Sequence, residues 1–348
     1  MFGENAKNVP ESDVVFSSRV RLARNFNKYP FPFRMNEKQC IEVIEKVKDT
    51  VFSTSYAAAE SFRFYDISRM EPIERQVMVE KHLISPDLAA KQTISGVIIS
   101  KDEDISIMIN EEDHLRIQCL HRGMQLNRAW ENCKRLDTML EEKIDFAYDS
   151  SFGYLTCCPT NVGTGMRASV MLHLPALVMT GYIKEILDAC SKLNVAVRGI
   201  YGEKSDASGN MFQISNQITL GLTEEEIISN ITNISSQIIQ QERTLRAELY
   251  RQNSYRFEDR VFRSYGLISN ARILSSEETM KLLSDVRLGV DMGIIKDIDI
   301  DTLDELMDIT QPANLQKITG RSLSASERDI KRAELIRDRL RQRPKTKG

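Results

Sequence analysis

Arginines and carboxylates at short, regular spacings are the residues of this chain best suited to chemistry. Arg19 and Arg21 alternate along the extended segment SSRVRLARN, with Arg24 close behind; Arg116 follows NEEDHL, Arg167 follows a glycine turn, and Arg198 ends an apolar run. A guanidinium offers planar, paired donors to phosphate oxygens and keeps its charge. Any one of them taken alone reads as a surface ion pair, but several converging on one cleft would neutralise a triphosphate and hold a transferring phosphoryl group in line. Glu112 lies just past a predicted strand, in NEEDH, and Glu203 lies in a Gly- and Ser-rich loop at 199–209. Such carboxylates suit structural pairs or magnesium. A guanidinium substrate would give them a sharper task, because it is protonated and a poor nucleophile. Two carboxylates would pin it, aim one nitrogen at the γ-phosphorus and take up the proton as it attacks.

The usual nucleotide signatures do not occur: there is no GxxxxGK[ST] loop and no HRD or DFG pair, which argues against a P-loop enzyme and a Ser/Thr/Tyr-type kinase. One lookalike is GTGMRA at 163–168, read here as a turn opening a helix over 165–177. It resembles the GxGxxA turn of a dinucleotide site. The acidic ribose ligand expected after NVAVRGIYG is missing, and Arg198 stands there, which would suit NADP at most.

The elements that must position these groups follow from periodicity. TISGVIIS and DISIMIN at 94–110 read as a hairpin, with Ile105, Ile107 and Ile109 on one face and Ser106, Met108 and Asn110 on the other. GYLTCC at 153–158 and NVAVRGIYG at 194–202 read as further strands, and 182–193 as a helix. Thr223 with Glu226 fits a capping box, and Ile227, Ile231, Ile234, Ile238, Leu245 and Leu249 keep helical spacing after it. Ser275 with Glu278 and Ser324 with Glu327 fit further helix starts. With no convincing strand after Leu222, the chain divides into residues 1–222, mixed α and β, and an all-helical 223–348.

Composition narrows the class. The chain has 348 residues, 41% hydrophobic and 28% charged, with a net charge of -3, which gives no pull towards nucleic acid or membrane. No apolar run of about 20 residues spans a bilayer, and MFGENAKNVPES lacks the pattern of a secretory signal. Cys40, Cys119, Cys133, Cys157, Cys158 and Cys190 show no CxxC spacing and there are only four histidines, so neither a protein-bound metal nor a disulfide framework is expected. These readings point to the cytoplasm.

SSRVRLAR (17–24), NEEDHLR (110–116), CPTNVGTGMRAS (158–169) and VRGIYGE (197–203) together resemble the phosphagen (ATP:guanido) kinases in order and spacing, over roughly 13–222. The resemblance implies an antiparallel sheet flanked by helices, with ATP and Mg2+ as cofactors. It implies phosphate contacts from Arg19, Arg21, Arg116, Arg167 and Arg198, and a place near the adenine for His82 of EKHLIS. It extends the nucleotide site to Ser17, Ser18, Val20, Ala168, Ser169, Val170, Met171, Gly199, Ile200, Tyr201 and Gly202. Glu112 and Glu203 match the two guanidinium-holding carboxylates, Arg167 joins them in the catalytic set, and Cys158 matches a reactive cysteine. Without the resemblance, Cys158 reads as a small buried residue.

Two departures matter. SSRVR begins at residue 17, where the metabolic enzymes carry a helical N-terminal domain first, and Met171 stands where they usually have histidine. Both features resemble the bacterial protein-arginine kinases of the McsB type, whose site would admit arginine projecting from a protein surface. A kinase of free arginine and a non-catalytic binder of phosphoarginine are the competing readings. In the tail, 321–348, ten Lys/Arg stand against four Asp/Glu; a solvated helix face or a docking surface fits this. Arg328, Asp329, Ile330, Lys331, Arg332 and Ala333 match the RDxxRA motif of that subfamily, implying a phosphoarginine site in which Arg328 and Arg332 hold the phosphate and Asp329 the guanidinium. By resemblance the partners are proteins with exposed arginine, a zinc-containing activator, a heat-shock repressor and a Clp ATPase, with the chain a homodimer in a stress response.

Overall fold

The structure, a computed structural model, describes residues 9–53, 62–199 and 207–341. Its strands are β1 (Val15–Arg24), β2 (Phe62–Asp66), β3 (Gly96–Ser100), β4 (Ile105–Ile109), β5 (Leu115–Arg122), β6 (Tyr148–Asp149), β7 (Gly153–Tyr154), β8 (Met166–His173), β9 (Val195–Gly199) and β10 (Met211–Asn216). The helices are α1 (Glu37–Phe52), α2 (Pro72–Glu80), α3 (Pro86–Ala90), α4 (Leu126–Glu141), α5 (Pro175–Thr180), α6 (Ile183–Lys192), α7 (Glu224–Gln252), α8 (Ser254–Asn270), α9 (Ser276–Asp291), α10 (Ile300–Ile309), α11 (Pro312–Thr319) and α12 (Ala325–Arg341).

Eight strands form one sheet in the order β2-β3-β4-β5-β1-β8-β10-β9, and every neighbouring pair is antiparallel. Alternation along each strand sends one set of side chains to each face. Val20, Leu22, Ile117, Cys119, Ala168, Val170 and Ile214 point into the main core. Helix α1, begun by an Asn36–Gln39 capping box, and α4, through Ala129, Cys133, Leu136 and Leu140, supply apolar residues to the same core.

The helix expected over 165–177 is a strand, β8, for most of that length. Its residues Met166, Ala168, Val170 and Leu172 are fully buried at period two. Alanine, methionine and leucine favour helix locally, but pairing with β1 on one side and β10 on the other overrides that preference. GYLTCC likewise yields only the two residues of β7, paired with β6. The hairpin over 94–110 forms as β3 and β4, with Ile107 and Ile109 in the main core and Met108 in a separate cluster on the opposite face.

Among the described residues no strand follows β10. The Thr223–Glu226 capping box is reciprocal and opens α7, 29 residues long. The expected division at 222/223 therefore falls at a helix start, and Ile227, Ile228, Ile231, Ile238, Ile239 and Leu245 of α7 pack into the sheet's core. A second cluster gathers α8, α9, α10 and α12 around Phe16, Met171 and Met211 of the sheet region. Ion pairs of buried arginines cross this junction: Arg122 of β5 meets the partly exposed Asp301 and the buried Asp304, and Arg287 of α9 shares Asp304. No helix among the described residues is long and apolar enough to cross a membrane.

Candidate active site

Strand register brings the arginines together. Arg21 stands opposite Gln118 on β5 and Arg167 on β8; Arg19 stands opposite Ser169, and Ala23 opposite Arg116. Gln213 of β10 pairs with Met171 on one side and Arg198 on the other. Directly paired residues share a face, so Arg116, Arg21, Arg19, Arg167 and Arg198 all project from the face opposite the main core. Arg24, even-numbered beside Arg19 and Arg21, points the other way. It is 1% exposed, holds Asp137 at 2.7 Å, donates to the Thr164 carbonyl at 2.9 Å and lies over the Tyr154 ring. That arginine is structural.

The arginine face lies between two walls. Leu83, Ile84 and Leu88, around α2 and α3, pack on Val97, Ile99 and Met108 at the β3–β4 side, and the second cluster covers Met171 and Met211 towards the other side. Between them the positive charges face one another. Burial, then Arg19, Arg116 and Arg167, press the Arg21 guanidinium well below its usual pKa. Burial, then Arg198 and Arg116, press Arg167 down as well. The Nε atoms of both are buried without a hydrogen-bond partner. Arg19 donates to Gln213 at 3.1 Å. Buried orphan donors among repelling cations are a site shaped for a polyanion, which fits a nucleotide triphosphate.

His82 sits at the end of α2 in a left-handed conformation, φ 58. Its carbonyl accepts from Gln118 Nε2 at 2.7 Å, and burial with Arg19 and Arg21 pushes its imidazole down to about 4. Of the other expected nucleotide residues, Ser17, Ser169 and Met171 share the arginine face, Met171 inside the second cluster. Ser18, Val20, Ala168 and Val170 turn to the other face; Ser18 Oγ donates to the Gly123 carbonyl at 2.7 Å. Gly199 ends β9, and a side chain there would lie 2.9 Å from the Ala207 backbone, so Gly199 and Ala207 adjoin. Glu203, Ile200, Tyr201 and Gly202 lie outside the described residues.

The acidic run after β4 divides its labour. Asn110, φ 60, closes the turn: its side chain donates to the Cys40 carbonyl at 3.0 Å, and its N–H to the His114 carbonyl at 2.9 Å. Glu111 is buried and holds Arg116 at 2.8 Å, while Glu112 is the exposed member, 3.2 Å from the same arginine. Burial, reinforced by Asp113, raises the Glu112 carboxyl above its ordinary value. Asp113 is fully buried and accepts from the Asn25 side chain at 2.6 Å and the Cys157 N–H at 2.7 Å. It thereby ties the end of β1 and the CysCys loop to the turn bearing Glu112. Cys158 is partly exposed, its sulfur 3.0 Å from Thr160 Oγ1. Sequence reasoning passed over Glu111, Asp113 and Asn25; the acidic run NEEDH was the signal, but only burial separates its members.

The RDxxRA segment lies on α12. Arg332 is 1% exposed and donates to the Thr310 carbonyl at 2.9 Å, the Leu274 carbonyl at 2.7 Å and Asp329 at 2.6 Å. Arg328 donates to the Leu323 carbonyl at 2.9 Å. Ala333 joins the second cluster, Ile330 faces outward, and Lys331 pairs with Glu334. Asp329 and Arg332 are thus bonded to each other, with Arg332 spent on backbone carbonyls.

An antiparallel sheet that presents five arginines on one face, with the Glu112 carboxylate 3.2 Å from one of them, suits a guanidinium-directed phosphotransferase. The profile of the ATP:guanido phosphotransferase C-terminal catalytic domain matches residues 42–245, and that of the protein-arginine kinase McsB C-terminal domain matches residues 254–348. Protein-arginine kinase of Caldanaerobacter subterraneus is 50% identical over 330 residues, covering 95% of this chain and 98% of that one. The protein of that name from Bacillus subtilis is 50% identical, covering 95% and 91%, and that of Halothermothrix orenii 52%, covering 95% and 94%. A crystal structure of lombricine kinase superimposes with TM-score 0.61 at 23% identity, covering 70% of this chain and 71% of that one. The duplicated taurocyamine kinase of Schistosoma mansoni with bound transition-state-analogue components gives 0.59 at 26%, covering 69% and 35%. The chain belongs to the ATP:guanido phosphotransferase family, in its protein-arginine kinase branch.

Proposed function

We propose that this enzyme transfers the γ-phosphoryl group of ATP to the guanidinium of arginine side chains in proteins. The observation that carries the reading is the single sheet face on which Arg19, Arg21, Arg116, Arg167 and Arg198 converge. These five would hold the phosphates and compensate the charge that spreads over the transferring group. Mg2+ would arrive on the phosphate oxygens and add to that compensation. Glu112, with Glu203, would align the substrate guanidinium; the raised carboxyl of Glu112 suits it to take a proton as the N–P bond forms and the bond to the ADP oxygen breaks. Cys158, on the loop that Asp113 anchors, would present its sulfur to the same guanidinium.

The names of the relatives support protein arginine over a free metabolite as substrate. Free thiols at all six cysteines support a reducing, cytoplasmic setting. The family resemblance extends the proposal to a homodimer, to phosphoarginine recognition on α12, and to a stress-response role with a zinc-containing activator, a heat-shock repressor and a Clp ATPase.

The test is incubation with Mg-ATP and an arginine-rich unfolded protein, beside free arginine at matched concentration, read by mass spectrometry without acid because the P–N bond is acid-labile. Phosphate on protein arginine alone is the expected result. Phosphorylated free arginine alone would overturn it in favour of a metabolic kinase.

A further inference from the structure

Glu80 ends α2, beside the arginine face, yet its carboxylate closes on the C-terminal helices. It accepts from the Ala313 N–H at 2.8 Å, the Asn314 N–H at 2.8 Å and the Asn314 side chain at 2.9 Å. These are first-turn amides of α11, donors without partners inside their own helix. A negative side chain there acts as a cap supplied from a distant part of the chain and complements the helix dipole.

Two residues beyond Glu80 stands His82. Its N–H donates to the Val79 carbonyl at 2.9 Å, and its carbonyl accepts from Gln118, which pairs with Arg21 across the strands. The α2 terminus is therefore gripped from two sides, by Gln118 of the sheet and, through Glu80, by α11. The turn that opens α11 is itself held by Arg332, whose Nε donates to the Thr310 carbonyl at 2.9 Å. Direct contacts run without a break from α12, through Thr310 and the first turn of α11, to Glu80 and the turn bearing His82.

We propose that Glu80 is a positioning residue for the nucleotide side of the site, docking α2 on α11 so that His82 takes its pose and making ATP affinity dependent on the C-terminal helices. This rests on the reading of His82 as a nucleotide contact. A capping interaction that merely glued two regions together would change stability and leave substrate affinity alone. Positioning instead moves KM for ATP apart from kcat.

The experiment measures KM for ATP, KM for protein substrate and kcat in full-length Glu80→Ala, Glu80→Gln, Asn314→Ala and His82→Ala, with circular dichroism to verify folding. Glu80→Ala raises KM for ATP about fivefold or more, with kcat within about twofold and KM for protein unchanged. Glu80→Gln, which keeps one acceptor oxygen where the carboxylate has two, recovers only part of the loss. In a His82→Ala background, Glu80→Ala adds nothing further. An unchanged KM for ATP in folded Glu80→Ala, or full additivity with His82→Ala, overturns the proposal. Should Glu80→Ala not fold, Asn314→Ala decides in the same way, since it thins the contact without touching α2. If His82→Ala itself leaves KM for ATP unchanged, the nucleotide reading of His82 fails first, and the role of Glu80 falls with it.

Discussion

Arg21 of β1 and Arg167 of β8 stand directly opposite each other in antiparallel register, two like charges whose buried Nε atoms have no hydrogen-bond partner. The main apolar core lies on the other face of the sheet, away from these two charges. An anion that binds here relieves repulsion and satisfies donors at once. At a hundredfold excess over Kd, binding to the native state alone adds about 2.7 kcal/mol. ATP or tripolyphosphate should therefore raise Tm of the wild type measurably, and less as salt increases. Arg21→Ala should lose most of that response and about 10²- to 10³-fold in kcat/KM. A Tm response that survives in the variant would place the phosphates elsewhere.

Glu112 provides a pH test. Burial and Asp113 raise its carboxyl, so a role as base requires activity to fall as pH drops through that raised value, at a higher pH than an ordinary glutamate gives. Glu112→Gln should cut kcat by about 10²-fold or more and abolish the acid limb, with ATP-induced stabilisation retained. An acid limb that persists in the variant assigns it to another group.

Arg332 and Arg328 should separate in stability. Arg332 is buried with three acceptors, and removing it leaves carbonyls and Asp329 without their donor. Arg332→Ala should cost about 3 kcal/mol in urea unfolding. Arg328, with one bond to the Leu323 carbonyl, should cost at most about 1 kcal/mol on truncation. Equal costs would contradict the burial seen for Arg332.

Gly165 opens the strand that carries Arg167. Its φ is 64, and a Cβ would lie 2.6 Å from the Ala23 carbonyl oxygen and 2.7 Å from the Arg24 guanidinium. Gly165→Ala should destabilise by more than about 1 kcal/mol and loosen the Arg21–Arg167 register, lowering activity in protein that remains folded. Unchanged unfolding and turnover would show that the turn relaxes freely.

His114 reports on folding through its proton. Its Nδ1 accepts from the Phe26 N–H at 3.0 Å, which leaves Nε2–H to donate to the Pro30 carbonyl at 3.0 Å. This neutral pair of bonds accompanies a pKa pushed by burial from 6.5 to about 4. Between those values the unfolded chain binds the extra proton, so stability is full above the unfolded value and is lost as pH falls towards about 4. His114→Gln should show a smaller loss over that window, and a parallel loss would exclude His114 as its source.

The sequence by itself determined the residue types and the parity that this site needs. Arg19 and Arg21, two apart, had to share a face of any strand, and Arg24 had to leave it. The capping box at Thr223 and the isoleucine alternation of β4 were legible for the same reason, since backbone geometry sets those periods locally. Tertiary structure decided the rest. Whether 165–177 became helix or strand depended on two neighbouring strands waiting to pair with it. Within NEEDH, local chemistry is nearly identical for Glu111, Glu112 and Asp113; only packing buried the first and third and left the second exposed. Arg328 and Arg332 match in type and share a helix face, yet one is sunk against the Thr310 and Leu274 carbonyls in the connections between other helices. Periodicity encodes direction along an element. Burial and partnership depend on what the rest of the chain brings to it.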